Sequence, residues 1–69
     1  MPEAIDAFRR VVAIDGRNSH AHYNLARALA AQGNLDESLR ETRTARMLAP
    51  GEAAPRALEA ELTEALKRR

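Results

Sequence analysis

Two histidines, a serine beside them and a set of arginines offer the most chemistry in this chain. His20 and His22 lie two residues apart. On a helix that spacing points the rings about 200° apart, whereas a shared metal needs ligands converging from one side. No nearby carboxylate pair completes a ligand set. Ser19 beside His20 has the residue types of a nucleophile and its base, but a serine just ahead of a helical pattern is better explained as a helix cap. No glycine-rich phosphate loop is present. These residues predict no enzyme, no metal and no cofactor, with His22 as a packing side chain and His20 on the surface.

Arg40, Arg43 and Arg46 recur at three-residue steps. They have the spacing of a basic stripe for nucleic acid. Glu37 and Glu41 interleave with them at distances suited to intrahelical ion pairs. Only one tyrosine and one phenylalanine exist to stack on bases, and the formal net charge is +1. The arginines therefore read as a solvated face, with nucleic acid as the less favoured alternative. Lys67, Arg68 and Arg69 read as an ordinary basic helix end.

The elements that must carry these side chains are helical. Ala, Leu, Glu and Arg dominate the 69 residues, and there are no cysteines to staple so small a core. Apolar residues at Ile5, Phe8, Val11, Val12 and Ile14 predict a first helix over 3–14, closed by Asp15-Gly16 with glycine in the left-handed position. Asn18 and Ser19 are candidate caps for a second helix over 20–32. Its inward residues are His22, Leu25, Ala26 and Leu29. After Gly33, Asn34 and Glu37 have the spacing of a capping box opening a third helix over 35–48. Leu35, Ser38, Leu39, Thr42, Ala45 and Leu48 form its expected buried face, and Pro50-Gly51 stops it. A fourth helix over 54–68 has Pro55 in its first turn and Leu58, Leu62, Ala65 and Leu66 as its stripe. Short loops between helices make neighbours antiparallel. The fold class is all-α, with four helices.

The longest uncharged stretch, residues 28–35, is too short to span a bilayer. The first ten residues carry charges throughout and do not read as a secretory signal. With no cysteine, the expected setting is the cytoplasm.

Sliding the chain by 34 places lays residues 1–16 over 35–50. Ala4 meets Ser38, Ile5 meets Leu39, Val11 meets Ala45 and Ile14 meets Leu48. Glu3/Glu37 and Arg9/Arg43 are identical, and both stretches end in a breaker, Gly16 and Pro50. A period of this length with two helices per unit resembles the tetratricopeptide-repeat family. In 22–29, Leu25 fills the family's leucine slot and Ala26 its small slot, with Gly33 at the turn, Ser38 and Ala45 in later small slots and Pro50 closing the unit. Three slots depart: His22 stands for the usual Trp, Leu29 for Tyr and Thr42 for Phe. The resemblance covers 1–52. Beyond that Glu59 would occupy the leucine slot.

The resemblance implies a TPR-like α-solenoid fragment: residues 1–16 as the second helix of a preceding repeat, 17–52 as a complete repeat and 53–69 as a capping helix. It implies a protein–protein interaction scaffold that holds a peptide or partner helix in a concave groove. By position, His20, Tyr23, Asn24 and Arg27 would line that groove, with Glu61 added by the last helix. The family's carboxylate clamp is not implied, since only Asn24 sits in a matching slot. The first helix would lack its own partner, and a stripe of Ile5, Phe8 and Val12 would face the gap. Each large side chain left wet forgoes about 1.5–3 kcal/mol of burial, so the stripe is an expected self-association face and a homo-oligomer an expected alternative.

Overall fold

The computed structural model describes residues 2–68. It contains four α-helices in the expected order: α1 (Pro2–Ile14), α2 (Ser19–Ala31), α3 (Leu35–Leu48) and α4 (Ala53–Lys67). Each helix packs on its neighbour in the chain, α2 against α3 most extensively. Cross-helix contacts show that these two run antiparallel. His22 meets Glu41, and Ala26 meets Ser38, so as one number rises the other falls. The Cα envelope measures 34 × 30 × 13 Å, a slab of helices lying side by side rather than a bundle closed on itself.

Two apolar clusters flank α2. On one side Ile5 packs with Leu25 and Leu29, joined by Phe8, Val12 and Ala28. On the other, Ala26 packs with Leu58 and Leu62, joined by Tyr23, Ala30, Leu35 and Leu39. This corrects the expectation for α1. Ile5 is only 7% exposed, and Phe8 and Val12 are half-buried against the same cluster, so the stripe is not bare. The reason is geometric: residues 5 and 12 lie two turns apart on the edge of α1 that meets α2.

Small residues set the closeness of the α2–α3 crossing. Ala26, Ser38, Thr42 and Ala45 are all fully buried. Ser38 Oγ donates to the Ala26 carbonyl at 2.6 Å, and Thr42 Oγ1 donates to the Ser38 carbonyl one turn back at 2.8 Å. Every buried side-chain polar atom among the described residues has a partner, as a core this small requires. Leu48, expected on the buried face, is 37% exposed because it is the last residue of α3. Ala65 of α4 is likewise exposed, whereas Pro55, Leu58 and Leu62 are buried.

The punctuation differs in detail from the sequence reading. Asn18, not Ser19, caps α2, its Oδ1 accepting from the Ala21 amide at 3.0 Å. Asn34 makes no side-chain cap on α3; its amide instead donates to Glu37 Oε1 at 3.2 Å. Gly33 takes the left-handed conformation at φ 84°. The Asn34 and Gly33 amides then return to the Leu29 and Ala30 carbonyls, both at 2.9 Å, closing α2 in a Schellman turn. Gly16 does not share that conformation, since no positive φ occurs there. The Asp15 amide simply extends the α1 ladder to Val11, and Asn18 closes a turn back to Asp15.

Candidate functional site

The residues expected to line a groove lie on α2 at steps of three and four, which places them on one side of the helix. His20 and Arg27 are exposed, and Tyr23 and Asn24 are half-buried. The Arg27 guanidinium sits over the Tyr23 ring, 5.8 Å from its centroid, so the two side chains form one amphipathic unit.

Tyr23 and His20 open onto a small pocket of about 110 Å³ completed by Ser19, Glu52, Ala54 and Pro55. It lies where the starts of α2 and α4 come together. His20 Nε2 stands 3.9 Å from Glu52 Oε1 across it. Asn24 and Arg27 border a second, more open depression of about 280 Å³ with Phe8 and Ala28, on the α1 side. The structure thus joins four expected residues in two adjacent hollows linked by the Tyr23–Arg27 pair. Glu61 of α4 is exposed and borders neither. Glu52 and Pro55 were not anticipated as lining residues. Their place follows from the approach of two helix starts, and no local spacing encodes it.

His22 is a buried polar joint. The residue is 7% exposed, Nε2 donates to the Gly16 carbonyl oxygen at 2.9 Å, and Nδ1 lies 2.7 Å from Glu41 Oε1. The ring therefore ties the α1–α2 turn to α2 and α3. No group of three His, Cys, Asp or Glu side chains suited to a metal ion occurs among the described residues.

The expected intrahelical pairing of Glu37 and Glu41 with the α3 arginines is corrected. Glu37 pairs with Arg9 of α1 at 2.7 Å, and Glu41 is taken up by His22. Arg43 and Arg46 converge on Glu59 of α4 at 3.1 and 2.5 Å. The cause is the slab itself, which brings α3 between α1 and α4 and gives its charges partners on both sides. The hydrogen bond from Arg9 holds the Glu37 carboxyl below its ordinary value, and burial acts against it. Glu59 also acquires a reason: a carboxylate in that slot receives two guanidinium groups.

Side-by-side antiparallel helices, small residues at the crossings and a side opening into linked hollows define an α-helical repeat protein. A family model described as tetratricopeptide repeat matches residues 1–62, and the chain belongs to that family. The match runs past Glu52 into α4. No curated protein and no solved structure matches the chain significantly. Among the described residues no helix is long and apolar enough to cross a membrane.

Proposed function

We propose that this chain is a protein-interaction module that holds a peptide or partner helix against the α2–α4 side, anchored by Tyr23 and Arg27. The observation that carries this reading is the stacked Tyr23–Arg27 pair between two hollows. A large rigid aromatic and a multi-donor cation held together are the side chains that dominate protein recognition sites. Membership of a family of interaction modules supports the class of function. In this reading His20 and Glu52 select at one end, Asn24 hydrogen-bonds the ligand backbone, and Glu61 steers charge from α4.

The same reading takes 1–16 as the second helix of a repeat, 17–52 as a whole repeat and 53–69 as a polar-faced closing helix. It includes a cytoplasmic setting and no catalytic role. The nucleic-acid alternative draws less support, because Arg43 and Arg46 are both engaged by Glu59.

The test is capture of partners from the native host by the chain and by its Tyr23→Ala/Arg27→Ala double variant. Partners held by the parent and lost by the variant support the site. Equal capture by both removes it.

A further inference from the structure

The pocket at the starts of α2 and α4 has two walls one repeat apart. The 34-residue shift carries Ser19 and His20 onto Ala53 and Ala54. The hollow lies between those two helix starts, with Tyr23, Glu52 and Pro55 completing its lining. Both walls are internal to the chain, with α3 joining them. One wall is small: Ala54 stands where α2 carries His20, and a methyl group in place of an imidazole leaves the space open. At about 110 Å³ the hollow falls well short of the roughly 300–1,000 Å³ of a small-molecule site. It has room for one side chain.

The lining says which side chain. Tyr23, Ala54 and Pro55 give the hollow an apolar body, and Glu52 is the one carboxylate among its lining residues, with no lysine or arginine beside it. That carboxylate is open to a ligand. It makes no cap bond to α4, and His20 Nε2 at 3.9 Å lies beyond hydrogen-bond reach. An apolar sleeve ending in a carboxylate matches an aliphatic stem ending in a cation. An acidic side chain would meet Glu52, and a purely apolar one would cover that carboxylate without giving it a donor. The positive ends of two helices would favour an anion. However, the Asn18 side chain already takes the Ala21 amide at the start of α2, and Pro55 brings no N–H to the first turn of α4.

We propose that this pocket holds a lysine or arginine side chain of the bound segment. The stem lies against Tyr23, Ala54 and Pro55, and the charge sits on Glu52. This rests on the α2–α4 side being a peptide-binding site, and it gives the segment one required residue type, a base where it meets the start of α4.

Backbone amide shifts of the 69-residue chain, followed by NMR at low salt during titration with a capped Ala-Lys-Ala tripeptide, test it. Saturable shifts centred on Ser19, His20 and Ala54 are expected. The same tripeptide with norleucine or glutamate in place of lysine should bind about threefold more weakly or worse. Glu52→Gln should weaken the lysine tripeptide by a similar factor. Ala54→Leu, at an exposed position that keeps the fold by circular dichroism, should abolish the shifts by filling the hollow. No saturable shift at the pocket overturns the proposal. So does a norleucine or glutamate tripeptide that binds as tightly, or binding indifferent to Glu52→Gln or to Ala54→Leu. In the capture experiment, partners lost by Tyr23→Ala/Arg27→Ala but kept by Glu52→Gln and Ala54→Leu would remove the pocket and leave the interaction site standing.

Discussion

The hydroxyl of Ser38 lies 2.6 Å from the main-chain carbonyl oxygen of Ala26, and both residues are fully buried. The bond marks a close approach of α2 and α3, since a hydroxymethyl group can reach the opposing backbone only if nothing larger separates the helices. A small side chain here is a condition of the pairing and not merely compatible with it.

Substitution at Ser38 should therefore divide by size. Ser38→Ala keeps the approach and loses one net hydrogen bond, a cost of about 1 kcal/mol. Ser38→Leu forces the helices apart and should cost about 1–3 kcal/mol through overpacking. Urea unfolding followed by far-UV circular dichroism checks both. A leucine variant as stable as the alanine variant would contradict the tight crossing.

The Arg9–Glu37 pair makes the attachment of α1 to α3 depend on pH. Because the hydrogen bond from Arg9 holds the folded-state Glu37 carboxyl below its ordinary 4.5, the contribution is fully present above that value. It is lost as pH falls through the lower folded-state value. The pair is half-exposed on the Arg9 side, so the loss is small and screened by salt. The Glu37 side-chain carboxyl carbon, followed by NMR, should titrate below a free glutamate in the parent chain. It should return toward the ordinary range in Arg9→Gln.

The architecture was legible because apolar and small residues recur with a helical period, punctuated by Gly33 and Pro50. Those are local properties, and four helices follow from them. What was not legible is relational. Which edge of α1 faces α2 depends on the slab, so Ile5, Phe8 and Val12 proved to pack against α2 while Val11 and Ile14 stayed exposed. The carboxylates of Glu37, Glu41 and Glu59 likewise chose partners on other helices, a choice that residue spacing within one helix does not contain. At the candidate site, Tyr23 and Arg27 could be placed from the helical step. Glu52 and Pro55 entered only once two distant helix starts were brought side by side.

His22 joins the α1–α2 turn to α3, and its contacts make a prediction about Glu41. Removing the carboxylate by Glu41→Ala leaves Nδ1 of a buried ring without its hydrogen-bond partner. Leaving such a group unsatisfied costs about 1–3 kcal/mol. Glu41→Gln keeps an amide that pairs with Nδ1 whichever of the two donates, and should recover much of the loss. Thermal unfolding of the two variants beside the parent decides it. Equal loss in both would show that the pairing of Nδ1 with residue 41 does not hold the joint together.

The two turn glycines should respond oppositely to the same substitution. A Cβ at Gly33 meets nothing within 4 Å, so space is not the obstacle. The backbone there holds φ at 84°, where an L side chain crowds its own carbonyl, and Gly33→Ala should cost about 1–2 kcal/mol. At Gly16 the φ is not positive, and the nearest atom to an added Cβ is the Val12 carbonyl oxygen at an ordinary 3.6 Å. Gly16→Ala narrows the unfolded ensemble without straining the fold, so it should be neutral or stabilise by about 0.4–1 kcal/mol. The Gly16 carbonyl still accepts from His22, because the substitution leaves the main chain in place. Melting temperatures measured side by side should thus fall for Gly33→Ala and hold or rise for Gly16→Ala. A drop of similar size in both would mean that Gly16 is held in a strained conformation after all.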